Sequence, residues 1–329
     1  MGLVGLAAIQ VRVSPALYRD EPTFFAAMDR SCAAATAALP SDVPRLLCFP
    51  EAVALGLLFL PGAYEWAQHE RSLAAVALKG ALRDARRWLK ALRLGRYRPL
   101  RSFYLRQALP AWGIYQRTFG ALARRHNAYI SAGSGYFSLI ECESAQGAFV
   151  SDPRVYNVSC LFGPHGALLA RTLKHRLTRV EARFGFSSGP RWALVPAHTA
   201  LGRVGTLICY DAFFHSLVAQ MDTLGAQILL QPSFNTEPWD APWWADPART
   251  QAEEWLQDGL PALVQDRENV RYGVNAMMVG QLFDLRGEGR SSIVGPAARY
   301  PTQAHGVRGF AALAETADEQ EILTAVVEL

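Results

Sequence analysis

The chain reads as a layered α/β fold in one domain. Short apolar, β-branched runs alternate with segments of helical spacing along its length, which is the pattern of sheets covered by helices. One stretch, residues 203–231 (RVGTLICYDAFFHSLVAQMDTLGAQILLQ), holds a complete strand–helix–strand unit. There Val204 to Ile208 forms the first strand, and Phe214, Leu217, Val218, Met221 and Leu224 recur at helical spacing. Gly225 supplies the helix stop and Ile228 to Leu230 a second buried strand. With 329 residues, half of them hydrophobic, the chain has enough apolar surface for a large core.

The remaining elements follow in order. Leu6 to Val11 reads as a strand and Thr23 to Leu39 as an Ala-rich helix. In RLLCFPE, Arg45 to Phe49 is a buried strand that Pro50 ends, leaving Glu51 at the tip; Cys209 has the same position on its own strand. Residues 116–127 form a helix with Phe119, Leu122 and Ala123 inward. Tyr129 to Phe137 (YISAGSGYF) is a strand whose glycines mark bends or close backbone approach. Residues 155–173 form a hairpin turning at Gly163-Pro164-His165-Gly166. Its second arm delivers Lys174, and Glu181 follows seven residues later in a polar, loop-like segment. After an aromatic loop with Trp239, Trp243 and Trp244 come a helix from about Pro247 to Glu268, the strand Tyr272 to Val279, and final strands in RSSIVGP and EILTAVVEL.

Composition excludes several functions. Five cysteines, odd in number and without CxxC pairs, fit free thiols in a reducing cytoplasm; neither they nor the seven dispersed histidines have metal-ligand spacing, so no metal and no cofactor is expected. MGLVGLAAIQV lacks the charged start of a signal peptide, and Leu6 stands where a myristoylation site needs Ser or Thr. The longest apolar run, Ala52 to Leu60, is interrupted by Gly56, stopped by Pro61 and far short of the roughly 20 residues that span a bilayer.

A basic helical insertion is expected at about 66–113. Residues 79–106 carry ten basic side chains and one acid, Asp84, a charge of +9 in a chain of +4. Leu78, Leu82, Ala85, Leu89 and Leu92 fall on one face, which predicts a helix over 75–93 outside the main layers. Its stripe is expected to dock on the body or across a dimer, with the arginines meeting water or acidic neighbours, and the helix to help cover the active-site mouth or a subunit contact. No nucleic-acid partner is expected, and peripheral membrane contact is the disfavoured alternative.

Cysteine at a strand tip, close to the backbone N–H groups of a turn, suits a nucleophile, although a lone cysteine is equally a small buried hydrophobe. Glu51 and Lys174, each taken alone, read as solvated surface groups. Together the three motifs FPE at Glu51, LKH at Lys174 and ICYDAFF at Cys209 resemble the nitrilase superfamily of carbon–nitrogen hydrolases. The resemblance extends through VYN (155–157), LTRVE, RENVRYGVNA (267–276) and EILTAVVEL, and covers all but about residues 60–115. It implies a four-layer αββα sandwich over a single domain, 1–329, and a homodimer, for which Leu217, Val218 and Met221 offer an apolar helix face unless they belong to the core. It also implies Cys209 as nucleophile, Glu51 as general base and Lys174 as the cation beside the developing oxyanion. The backbone N–H of Tyr210 would join that oxyanion site, and Glu181 would orient Lys174 or the substrate. A thiol of ordinary pKa, about 8.5, is mostly protonated at neutral pH, so Lys174 and Glu51 are expected to favour the thiolate.

Two departures stand out. Where related CYD sequences continue Phe-Pro-Glu, this chain has Phe214-His215-Ser216, and the connection from Pro61 to Gln116 is unusually long. Cys209-Tyr210-Asp211 resembles the amidase and carbamoylase branches rather than the Cys-Trp-Glu of nitrile hydrolases, so an amide or N-carbamoyl substrate is expected. Nitrile hydrolysis and acyl transfer to an amine use the same triad and stay open. A catalytically silent binding scaffold is the alternative of another class, and it has no physical need for all three residues.

Overall fold

The structure, a computed structural model, describes residues 2–83, 86, 89, 99–143 and 147–329. In chain order the strands are β1 (Leu3–Val13), β2 (Arg45–Cys48), β3 (Tyr129–Glu143), β4 (Gly147–Phe162), β5 (Leu168–Leu173), β6 (Ala197–Thr199), β7 (Gly202–Thr206) and β8 (Ile228–Ser233). They continue with β9 (Tyr272–Leu282), β10 (Leu285–Gly287), β11 (Ser292–Val294), β12 (Gln303–Ala304), β13 (Val307–Arg308), β14 (Phe310–Leu313) and β15 (Glu321–Glu328). The α-helices are α1 (Glu21–Ala37), α2 (Tyr64–Ala67), α3 (Leu73–Arg83), α4 (Pro99–Arg125), α5 (Arg179–Arg183), α6 (His215–Thr223), α7 (Gln251–Gln257) and α8 (Leu260–Leu263).

Strand β1 shows why two sheets form. Its side chains alternate, so that Val4, Leu6 and Ala8 enter one core while Ala7, Ile9 and Val11 enter another. Residues 3–10 pair antiparallel with β15, and 5–8 pair parallel with β2; Val11 to Val13 pair instead with β9. The chain thereby joins a first sheet, β15-β1-β2-β3-β4-β5, to a second, β6-β7-β8-β9-β11-β14. Leu6, Leu46 and Leu161 from the first meet Val204, Ile228, Leu230 and Val274 from the second in the central layer. On the first sheet's outer face lie α1, through Phe24, Met28 and Cys32, and α4, through Trp112, Tyr115 and Phe119. On the second sheet's outer face lie α6, α7 and α8 through Leu217, Val218, Trp255, Leu256 and Leu260. The result is the expected four-layer αββα sandwich.

Local chemistry explains the elements, including those that differ from expectation. Asp20 caps α1, its carboxylate accepting from the Thr23 N–H at 2.7 Å, and Pro22 follows in the first turn. The helix expected over 116–127 begins at Pro99 and runs through Pro110, because one face carrying Ala108, Ala111, Trp112 and Tyr115 is buried along its length. The single helix expected from about Pro247 to Glu268 is instead α7 and α8. Gly259 separates them where the chain passes close to the Trp255 carbonyl, which a Cβ would meet at 2.3 Å, and Pro261 starts the next turn.

The insertion helix is described over α3, with Arg86 and Leu89 also helical. Ala85 and Leu92 of the expected stripe lie outside the described residues. The face that docks is not the one expected. Val76 and Ala77 are buried, whereas Leu78, Leu82 and Leu89 are 62, 73 and 60% exposed. Cationic side chains help fix this orientation: Lys79 pairs with Glu70, Arg83 lies over the Trp66 ring at 4.7 Å, and Arg106 donates to the Gly80 carbonyl. The apolar face of α6 takes the core reading of the two open to it. Leu217, Val218 and Met221 are buried in the protomer's own core, so none of them is available to a partner. Among the described residues no helix is long and apolar enough to cross a membrane, and no group of three His, Cys, Asp or Glu side chains is arranged to hold a metal ion.

Candidate active site

Parallel pairing of β2 with β1 and β3, and of β7 with β8, directs strand ends toward one edge of the sandwich. From β2 the chain passes Phe49 and Pro50 to Glu51, from β7 it reaches Cys209 three residues on, and Lys174 directly follows β5. Glu51, Lys174, Glu181 and Cys209 line one cavity and are all nearly inaccessible to solvent.

The Glu51 turn is held from β3. Ala52, in the left-handed region at φ 58°, donates its N–H to Ser134 Oγ at 3.0 Å, and Ser134 N–H donates back to the Pro50 carbonyl. Gly133 makes this approach possible, since a Cβ there would sit 2.0 Å from that carbonyl oxygen. One of the glycines singled out in YISAGSGYF thus has its close contact.

Charge is concentrated on Lys174. Its Nζ donates to Glu51 Oε1 at 2.8 Å and to Glu181 Oε2 at 2.9 Å. Asn157 Nδ2, projecting from β4, donates to Glu51 Oε1 at 2.7 Å and to Glu181 Oε1 at 2.9 Å. Glu181 is not in a loop. It is the third residue of α5 in a capping box, accepting from the Thr178 N–H while Thr178 Oγ1 accepts from the Glu181 N–H. The T-x-x-E spacing of Thr178 and Glu181 was the available sequence signal.

Cys209 occupies the left-handed region at φ 49°, a conformation costing a residue with a Cβ about 1–3 kcal/mol. Flanking bonds hold it there. Gln231 Nε2 donates to the Cys209 carbonyl at 3.1 Å, and the Asp211 carboxylate accepts from the His175 and Arg176 N–H groups, the latter at 2.6 Å. Asp211 therefore ties the cysteine turn to the residues that follow Lys174. Tyr210 is the second residue of the short 3₁₀ turn Cys209–Phe213, so its N–H is among the first-turn donors that have no acceptor within the helix. Its partly exposed ring lies against Phe213 and Phe214.

Burial raises the Glu51 carboxyl above the usual range; Lys174 opposes that shift and Glu181 adds to it. Burial by itself would lower the Lys174 ammonium, but Glu51, Cys209 and Glu181 outweigh it and hold it well above its ordinary value. The Cys209 thiol is raised well above its ordinary value by burial and by Glu51, with Lys174 only partly compensating. Lys174 favours the thiolate as expected, but burial and Glu51 outweigh it, so the thiol form is favoured at rest.

The family model for carbon–nitrogen hydrolases matches residues 5–305. The chain belongs to the carbon–nitrogen hydrolase family. No curated protein matches it in sequence. Among solved structures, a carbon–nitrogen hydrolase from Helicobacter pylori G27 aligns with TM-score 0.62 and 17% identity, over 99% of this chain and 89% of that one. A double mutant of the amidase from Nesterenkonia sp. AN1 in complex with acrylamide aligns with TM-score 0.59 and 16% identity, over 99 and 90%. Saccharomyces cerevisiae Nit3, a member of branch 10 of the nitrilase superfamily, aligns with TM-score 0.57 and 17% identity, over 99 and 90%. In this member of the family the five residues expected at the site, Glu51, Lys174, Cys209, Glu181 and Tyr210, lie together at one end of the sandwich. Asn157, Asp211 and Gln231 complete the arrangement without having been singled out for a role.

Proposed function

We propose that the protein hydrolyses a non-peptide carbon–nitrogen bond, in an amide or N-carbamoyl substrate, through a thioester on Cys209. The observation that carries this reading is the buried Lys174 ammonium 2.8 Å from Glu51 in a cavity that Cys209 also lines. Glu51, with its raised affinity for protons, takes the thiol proton as Cys209 Sγ attacks the carbonyl carbon, so no free thiolate is needed beforehand. The carbonyl oxygen gains the negative charge, and Lys174 and the Tyr210 N–H stabilise it. When the tetrahedral species collapses, the carbon–nitrogen bond breaks and Glu51 returns its proton to the leaving amine. Water then attacks the thioester, giving its proton to Glu51. The acid departs as the proton returns to Cys209 Sγ. Glu181 and Asn157 hold Lys174 and Glu51 in register throughout.

The test is ammonia release across simple amides, ureido compounds and nitriles, comparing the chain with Cys209→Ala. Release from amides that is lost in Cys209→Ala is the expected result. Cys209-dependent release from nitriles alone would move the reading to nitrile hydrolysis, and a large increase in turnover on adding an amine acceptor would move it to acyl transfer. No Cys209-dependent turnover would overturn it in favour of a binding scaffold.

A further inference from the structure

We infer that the acyl half of the substrate is neutral, apolar and about the size of a benzene ring, and that substrates with a carboxylate on that half are rejected. This rests on the proposed hydrolase reading and narrows it.

The cavity above Cys209 has a volume of about 140 Å³. A dry protein cavity of ~150 Å³ lined by Leu, Ile and Phe holds one benzene. Here the walls are Leu55, Leu73, Tyr104, Tyr136, Phe186 and Phe234. Three of the aromatic ones pack against each other: Tyr136 stacks on Phe186 at 4.5 Å, and Tyr104 meets the same ring edge-on at 5.0 Å. Such walls hold a shape rather than adapt to a larger group.

Charge decides the second half of the inference. Among the described residues the one cation in the lining is Lys174, and its ammonium is already shared by Glu51 and Glu181. Two carboxylates against one ammonium leave the site with a net negative charge. Among the described residues, Arg176 lies over the Phe214 ring at 4.5 Å and Arg179 over Trp244 at 4.9 Å, and neither lines the cavity. The remaining polar groups of the lining are the neutral hydroxyls of Tyr104, Tyr136, Thr178 and Thr236. A substrate carboxylate would be desolvated with no cation to meet it and with two like charges nearby, and an unpaired buried charge is among the costliest arrangements a protein can hold. Amides whose acyl half ends in a carboxylate are therefore excluded; an N-carbamoyl substrate puts only a carbamoyl group on that half and leaves the apolar cavity unfilled, so neutral amides remain.

The experiment compares kcat/KM for phenylacetamide, hexanamide, succinamate and glutaramate. The neutral pair is expected to exceed the carboxylate-bearing pair at least 100-fold, and Val180→Arg, at the half-open wall of the cavity, to raise succinamate relative to phenylacetamide at least tenfold. In parallel, benzyl alcohol is expected to slow alkylation of Cys209 by iodoacetamide, read by peptide mass, while succinate does not. Succinamate turned over as fast as phenylacetamide, or succinate protecting as well as benzyl alcohol, overturns the inference and leaves the hydrolase reading standing. Absence of Cys209-dependent turnover for every compound overturns the hydrolase reading, and the protection assay then still tests the cavity by itself.

Discussion

Asn157 illustrates how the site works at the scale of one residue. A single amide group donates to two carboxylates that would otherwise repel each other, and Lys174 bridges the same pair from the other side. Charge-assisted bonds of this kind contribute about 1.5–3 kcal/mol each. Asn157→Leu is expected to lower kcat by ten- to a hundredfold with a smaller change in KM, and Asn157→Asp to be worse, because it adds a third carboxylate. Initial rates and thermal unfolding check both; an Asp variant as active as the parent would refute the electrostatic account. Titration follows from the same contacts. Glu51 must be ionised to accept the thiol proton, and burial raises its pKa, so activity is lost as pH falls through a value above the ordinary ~4.3 of glutamate. The acid limb of kcat/KM is expected above that value. In the proposed mechanism Cys209 transfers its proton during attack rather than before it, so no loss of activity is expected as pH falls through the ordinary thiol range near 8.5. Glu51, Lys174 and Cys209 were legible in the chain because each ends a strand within a short distinctive motif. Asn157 was not, because one polar residue inside a strand gives no local sign that its side chain meets two carboxylates from distant segments.

Elements place these residues, and the turn after β7 shows how. Asp211 joins the cysteine turn to the Lys174 segment by accepting from two backbone N–H groups, and burial nevertheless raises its carboxyl to about 6 from the usual 3.8. For a group raised on folding, the stabilising contribution is present below the unfolded value and is lost as pH rises through the folded one. Asp211 therefore favours the folded state most at pH 4 and below, and the loss accumulates up to and past pH 6. A shift of about two pKa units corresponds to roughly 3 kcal/mol. Asp211→Asn has no such titration, so its unfolding midpoint relative to the parent is expected to rise between pH 4 and pH 7. A constant difference across that window would mean that the ionised carboxylate is no less stable in the fold than the acid. The longer strands were readable because apolar runs are local signals, whereas the short strands β6, β10, β12, β13 and β14 were not expected. The divided helix at Gly259 and the N-terminal extension of α4 were not, since both follow from what the segment packs against: the Trp255 carbonyl in one case, the β3–β4 face in the other.

For the whole molecule, the question is what covers α3. The +9 charge of residues 79–106 was plain in the chain, but which face of the helix would dock was not, because periodicity shows that an apolar stripe exists and not what lies beneath it. Leu73 opens α3 and lines the Cys209 cavity, so the insertion reaches the active-site mouth there, while Leu78, Leu82 and Leu89 are exposed. Lys79, Arg83 and Arg106 are committed to Glu70, Trp66 and the Gly80 carbonyl, which leaves them poorly placed to meet lipid phosphates. We propose a homodimer with this stripe in its interface. Burying one leucine side chain contributes about 1.5–3 kcal/mol, enough that three per protomer matter to association, whereas the surrounding like charges oppose it over a Debye length of about 8 Å at physiological salt. Sedimentation is expected to show a species of twice the 36.2 kDa chain mass at micromolar concentration, and Leu78→Ser with Leu82→Ser to shift it toward the monomer. Salt separates the two possible occupants of the stripe. Association through leucines against like charge tightens as salt rises, while attraction of a basic helix to an anionic bilayer weakens. The dimer reading fails if the protein sediments as a monomer at all salt concentrations, or if it floats with anionic vesicles at ~0.15 M salt and releases them at higher salt.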